Sequence, residues 1–172
     1  MAKNVTKGMI TDFKKFKAAW EKEAGNPYDS IVYYLIAALN IEKDAELADA
    51  MMTVVVSKRD CMESSKSPSG MKLGKSARYY IGQFQDDKNI ARSYLGANWR
   101  DNYSFDKNNL VMTVSREQKI DDKTLKVFIE SGGADSPRPA TVARNKHGQW
   151  KLTNYGSLCV GVRKPASEVD DF

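Results

Sequence analysis

The sequence predicts an α+β domain, with N-terminal helices packed on a C-terminal four- to five-stranded antiparallel sheet. Three observations predict it. Apolar residues recur at helical spacing through about residue 85. They alternate with polar residues from about residue 110 onward, and the links between the alternating runs are short enough to make neighbours antiparallel. With 172 residues, 41% hydrophobic and 28% charged, the chain suits one domain with its own core. Residues 1–164 are assigned to that domain and 165–172 to a flexible acidic tail ending Glu168-Val169-Asp170-Asp171-Phe172.

The first helix opens near Thr11, where Phe13, Phe16 and Trp20 fall on one face and Lys14, Lys15 and Lys22 on others. Gly25-Asn26-Pro27 ends it and starts the next, with Asn26 as N-cap and Pro27 as first helical residue. The second helix, 27–39, is apolar nearly all round from Ile31 to Leu39, the pattern of a helix buried in the core. Asp44 caps a third, amphipathic helix with an acidic outer face. Its end is ambiguous because Thr53-Val54-Val55-Val56 is β-branched.

Residues 57–74 read as a surface loop. A fourth helix follows at about 76–85, capped by Ser76, with Tyr79, Tyr80 and Phe84 towards the core. Strands are expected at 110–114, 125–129, 140–144 and 150–155, with Asn145-Lys146-His147-Gly148 as a hairpin turn. Residues 92–95 are a further strand candidate, and 158–162 a last strand or helical turn.

Four blocks, Tyr28 to Leu39, Lys72-Leu73-Gly74-Lys75, Ile90-Ala91-Arg92-Ser93-Tyr94 and Ser131 to Pro139, resemble a family of small bacterial domains of unknown function. The resemblance covers about residues 10–164. It implies a bacterial or bacteriophage-like origin and supplies no activity and no site residues.

One histidine and two cysteines exclude a Cys/His zinc site and a disulfide framework. No apolar run approaches the roughly 20 residues of a membrane span, and no secretory leader is visible, so the expected address is cytoplasmic and no membrane partner is expected. The net charge is +5 with a pI near 9.1. Basic and acidic segments alternate along the chain, so net charge alone argues weakly for nucleic acid.

Gly70-Met71-Lys72-Leu73-Gly74-Lys75-Ser76 approaches the phosphate loop Gly-x4-Gly-Lys-Ser/Thr, but only three residues separate its glycines. Nucleotide hydrolysis through Lys75 and Ser76 is the enzymatic alternative. His147 sits at a hairpin tip with no orienting partner nearby in sequence, and neither Cys61 nor Cys159 has a local activating pattern. The reading is therefore a non-catalytic ligand- or protein-binding module with no cofactor and no metal.

Its candidate ligand site is the loop containing Ser131, Gly132, Gly133, Asp135, Ser136 and Arg138. There the two glycines would let N–H groups converge on a small anionic ligand, and the hydroxyls and Arg138 would add donors. A bland reading stands beside it, in which Asp135 caps the turn and pairs with Arg138. The lesser alternative is single-stranded nucleic acid. The acid-free stretch 136–167 carries Arg138, Arg144, Lys146, Lys151, Arg163 and Lys164 interleaved with Trp150 and Tyr155, although alternation turns Trp150 inward and leaves only Tyr155 for stacking.

Overall fold

A computed structural model of the chain describes residues 2–169. Its elements run β1 (Lys3–Lys7), α1 (Phe13–Glu23), α2 (Pro27–Leu39), α3 (Ala45–Val55), β2 (Cys61–Glu63), β3 (Met71–Leu73), α4 (Lys75–Asp86), α5 (Asn89–Ser93), β4 (Leu110–Asp121), β5 (Thr124–Ile129), β6 (Arg138–Arg144) and β7 (Trp150–Asn154). Five of these strands form one antiparallel sheet in the order β1-β4-β5-β6-β7, and β2-β3 form a separate ribbon. The fold is α+β, with helices early and strands mostly late.

Helix α2 is the centre. Asn26 caps it, its side-chain oxygen accepting the Tyr28 N–H at 2.8 Å, and Pro27 occupies the first turn. Every residue from Ser30 to Leu39 is buried, and the helix touches α1, α3, α5, β1, β6 and β7. Its polar atoms act as stitches. Trp20 Nε1 donates to Ser30 Oγ at 3.0 Å, Ser30 Oγ donates to the Trp150 carbonyl at 2.6 Å, and the Trp150 N–H reaches the Ala24 carbonyl at 2.7 Å. This relay ties α1, α2 and β7 together.

The sheet meets the helices through Leu110, Met112, Val114, Val127, Ile129, Ala140, Val142 and Leu152, all buried. Alternation then turns Val111, Thr113, Lys126, Phe128, Thr141, Ala143, Lys151 and Thr153 to the opposite, uncovered face.

Several expectations are corrected. Arg92 and Ser93 lie in the short helix α5 and not in a strand; Ile90, Ala91, Tyr94 and Leu95 are buried at helical spacing. Tyr79 points to solvent, 61% exposed, while Ala77, Ile81 and Phe84 face inward. Gly74, not Ser76, is the N-cap of α4. Residues 53–55 are helical, and Val56 alone bridges to Leu152. Asp49 turns inward, accepting the Leu73 N–H and pairing with Arg78 at 2.5 Å, so the outer face of α3 is less acidic than its sequence.

Strand β4 runs on to Asp121, well past Val114, and β1 was not expected at all. The loop 57–74 contains the β2-β3 ribbon. Residues 156–159 form a 3-10 turn. A further turn, Ala166–Glu168, is held by the Ser167 N–H on Asn102 Oδ1 at 2.8 Å, and residues 170–172 of the expected tail lie outside the described residues. Among the described residues, no helix is long and apolar enough to cross a membrane.

If α2 organises the core, Leu35→Ala should lower unfolding stability by about 2–5 kcal/mol through the cavity it leaves. Tyr79→Ser on the solvent side of α4 should change it by less than about 1 kcal/mol. Urea denaturation of both variants is the check.

Candidate functional site

The loop between β5 and β6 is tied to the fold through Ser131, Gly132, Gly133 and Arg138. Ser131 Oγ donates to Ser93 Oγ at 2.8 Å and accepts the Gly133 N–H at 3.2 Å. The Gly132 N–H reaches the Ser93 carbonyl at 2.7 Å. Neither glycine has a positive φ. They are small for close approach instead: a Cβ on Gly132 would lie 1.9 Å from the Ala97 carbonyl oxygen, and one on Gly133 would lie 2.1 Å from Tyr103 Oη. The N–H groups of both glycines are thus engaged within the protein, while Gly133, Asp135, Ser136 and Arg138 line an open hollow with Gly161 and Arg163.

The Arg138–Asp135 pair is not formed either. Arg138 donates to Tyr94 Oη at 3.0 Å and to the carbonyls of Val160 and Gly161 at 2.5 and 2.6 Å. Asp135 pairs with Arg163, and Ser136 is exposed. The loop staples β6 to residues 160–163 and to the 93–103 segment.

The other candidates are dispersed. Met71–Leu73 belongs to an antiparallel ribbon, and the Gly74 N–H is taken by the Asp60 carbonyl at 2.7 Å, so the strand-loop-helix setting of a phosphate loop is missing around Lys75 and Ser76. Burial pushes the Cys61 thiol up to about 11 and raises that of Cys159, which keeps both protonated near neutral pH. His147 is exposed on its hairpin, its N–H on Asn145 Oδ1 at 2.9 Å. Tyr155, expected as an exposed ring, is 3% exposed and donates to Asp60 at 2.8 Å.

What the fold does assemble is a basic groove of about 320 Å³ beside the β6-β7 hairpin. After α3 the chain crosses the free edge of β7: the Ser57 N–H bonds to the Leu152 carbonyl at 2.8 Å, and Ser57 Oγ caps the following 3-10 turn, Lys58–Asp60. That turn is one wall. Arg144, Asn145, Lys146 and His147 are the other, and Ala143, Lys151 and Thr153 lie between them. Five cations, Lys58, Arg59, Arg144, Lys146 and Lys151, line it together with His147 and no carboxylate. The nearest acid in sequence, Asp60, is directed at Tyr155.

Among the described residues none of these five cations is in an ion pair, whereas Lys7 meets Glu23 and Asp29, Arg78 meets Glu46 and Asp49, and Arg92 meets Glu42. Lys151 shows the consequence. Burial and the nearby Lys58 charge push its pKa below the usual lysine value, and no carboxylate opposes them. Its ammonium lies 5.6 Å from the Trp20 ring centroid, and the Arg144 guanidinium 5.8 Å from that of Trp150.

Sequence reasoning named Arg144, Lys146 and Lys151 but missed Lys58 and Arg59. The usable signal was the basic character of the residues just after 56, and the edge crossing that brings them to β7 leaves no local mark.

Two changes separate the stapling role of the loop from a binding role. Arg138→Ala should lower stability by about 1–3 kcal/mol, since it deprives two carbonyls of a charged donor. Gly132→Ala should lower it by about 1–3 kcal/mol or more through the backbone clash. Unchanged melting in both would contradict the stapling role.

No curated protein and no solved structure matches the chain. A family model, the domain of unknown function DUF6935, matches residues 9–166. That span takes in all five helices, β2 to β7 and both walls of the groove, and it agrees with the family resemblance carried by the four sequence blocks: the chain belongs to the DUF6935 family.

Proposed function

We infer that the protein is a non-catalytic binding module whose ligand is an anion, phosphate-bearing in kind, held in the groove between residues 57–59 and the β6-β7 hairpin. One observation carries this reading: five cations share a groove without a carboxylate, while the fold neutralises several of its other cations in ion pairs. Like charges gathered on a lysine with a lowered pKa oppose folding. A bound anion would relieve that repulsion and favour the charged form of Lys151. Lysine and arginine are both suited to phosphate oxygens, the first as a point charge and the second as a fork of donors. The non-catalytic half of the reading rests on two protonated thiols and a lone, exposed imidazole, which offer no activated nucleophile.

Thermal melting with inorganic pyrophosphate tests the reading, because a ligand of the folded state raises Tm with concentration. Wild type should gain Tm, Lys151→Met and Arg144→Glu should lose that gain, and Arg138→Ala should keep it on its own lower baseline. An equal gain in all four proteins would place the anion elsewhere.

Lys151 also sets a pH dependence. Its folded pKa is lowered, so the unfolded chain holds this proton more tightly, and the penalty is full below the folded value and relieved as pH rises towards 10.5. Without ligand, Lys151→Met should therefore melt above wild type at neutral pH, and the difference should narrow on the alkaline side. A variant that melts lower at pH 7 would mean that the lysine is stabilising.

A further inference from the structure

The groove opens onto the sheet face that the helices leave uncovered, and that face carries more of the same chemistry. Register places Arg116 opposite Phe128 and Lys126 opposite Gln118 on the outer side of β4 and β5. The Arg116 guanidinium stands 3.6 Å from the Phe128 ring centroid, and the Lys126 ammonium 5.4 Å from it. Neither cation is in an ion pair among the described residues. Thr113, Thr141 and Thr153 place hydroxyls on the same face.

The distance between the two features decides what spans them. Phe128 pairs with Pro139, and Ala143 pairs with Lys151, so the aromatic stack and the groove lie four residues apart along β6. They are therefore about 13 Å apart along the strand, with two strand spacings of about 5 Å across. One phosphate or one mononucleotide does not bridge that span; a few linked nucleotides do.

We propose that the groove and the Arg116–Phe128 stack are two ends of one track for single-stranded nucleic acid, with the phosphodiester backbone in the groove and a base against the stack. The proposal rests on the anion-binding reading of the groove and gives it a ligand class. Single strands are favoured over a duplex because a ring on a sheet face engages only unpaired bases. They are favoured over an acidic protein because charges are depleted from the cores of protein interfaces, and here Arg116 and Lys126 flank the Phe128 ring.

The test is fluorescence anisotropy with a labelled twelve-nucleotide oligo-dT and a duplex of equal length, at about 50 and 200 mM salt. Unlabelled poly-glutamate is a competitor, and pyrophosphate melting runs in parallel. The single strand should bind more tightly than the duplex and weaken about tenfold or more between the two salts. Exposed Arg116→Glu and half-buried Phe128→Ala should each weaken it about fivefold or more while leaving the pyrophosphate Tm gain intact. Should Phe128→Ala melt too low to use, Arg116→Glu decides alone.

Pyrophosphate stabilisation without oligonucleotide binding would overturn the track and leave the groove reading standing. Loss of both would overturn both. Duplex binding as tight as single-strand binding would remove the stacking end, poly-glutamate displacing the oligonucleotide at equal charge would reassign the surface to an acidic protein segment, and indifference to Arg116→Glu would confine the ligand to the groove.

Discussion

The rest of the structure depends on enclosing α2. A helix apolar on every side cannot rest on a surface, so other elements must surround it. Ten consecutive residues, Ser30 to Leu39, are shut away from water by α1, α3, α5 and the β1, β6 and β7 strands. Each polar atom taken inside then needs a partner. Ser30 links Trp20 to the Trp150 carbonyl, Tyr33 donates to Glu23, and the Asn40 amide reaches the carbonyls of Ile10 and Ile36. Among the described residues Tyr34 Oη and Asn40 Oδ1 stay buried without a hydrogen bond, while the Tyr34 ring packs on Tyr155 and Phe84.

That enclosure leads to the site. Helices gathered around α2 occupy one face of the sheet and leave the other to solvent. The chain leaving α3 has to pass the edge of β7, where Val56 and Ser57 attach to Leu152. This attachment covers an otherwise open strand edge and carries Lys58 and Arg59 to the hairpin that bears Arg144 and Lys146. Pairing elsewhere in the molecule shows that carboxylates could have been supplied. Their absence leaves five like charges gathered around the groove.

How much of this was legible in the sequence depends on whether the signal was local. Asn26-Pro27 and the apolar run after it specify α2 from a few adjacent residues, and the same holds for Asp44 and the β6-β7 hairpin. Strand β1 carries one apolar residue, Val5, and is a strand only because β4 lies beside it. The polar end of β4, 116–121, pairs with β5 through the tight turn at Asp122-Lys123, which hydrophobic alternation cannot report. The conspicuous composition of 131–139 has a structural reason of its own: its glycines let the chain pass close to Ala97 and Tyr103, a requirement visible only once the partners are in place. Half of the groove was readable as an acid-free stretch; the other half lies some ninety residues earlier and joins it only through the crossing at β7.

Backbone amide NMR on titration with inorganic phosphate tests the central claim most directly, since it locates the anion without assuming any activity. Shift changes concentrated at residues 57–59 and 143–153 are the result this account predicts. Changes centred on residues 131–138, or scattered over all the lysines alike, would contradict it.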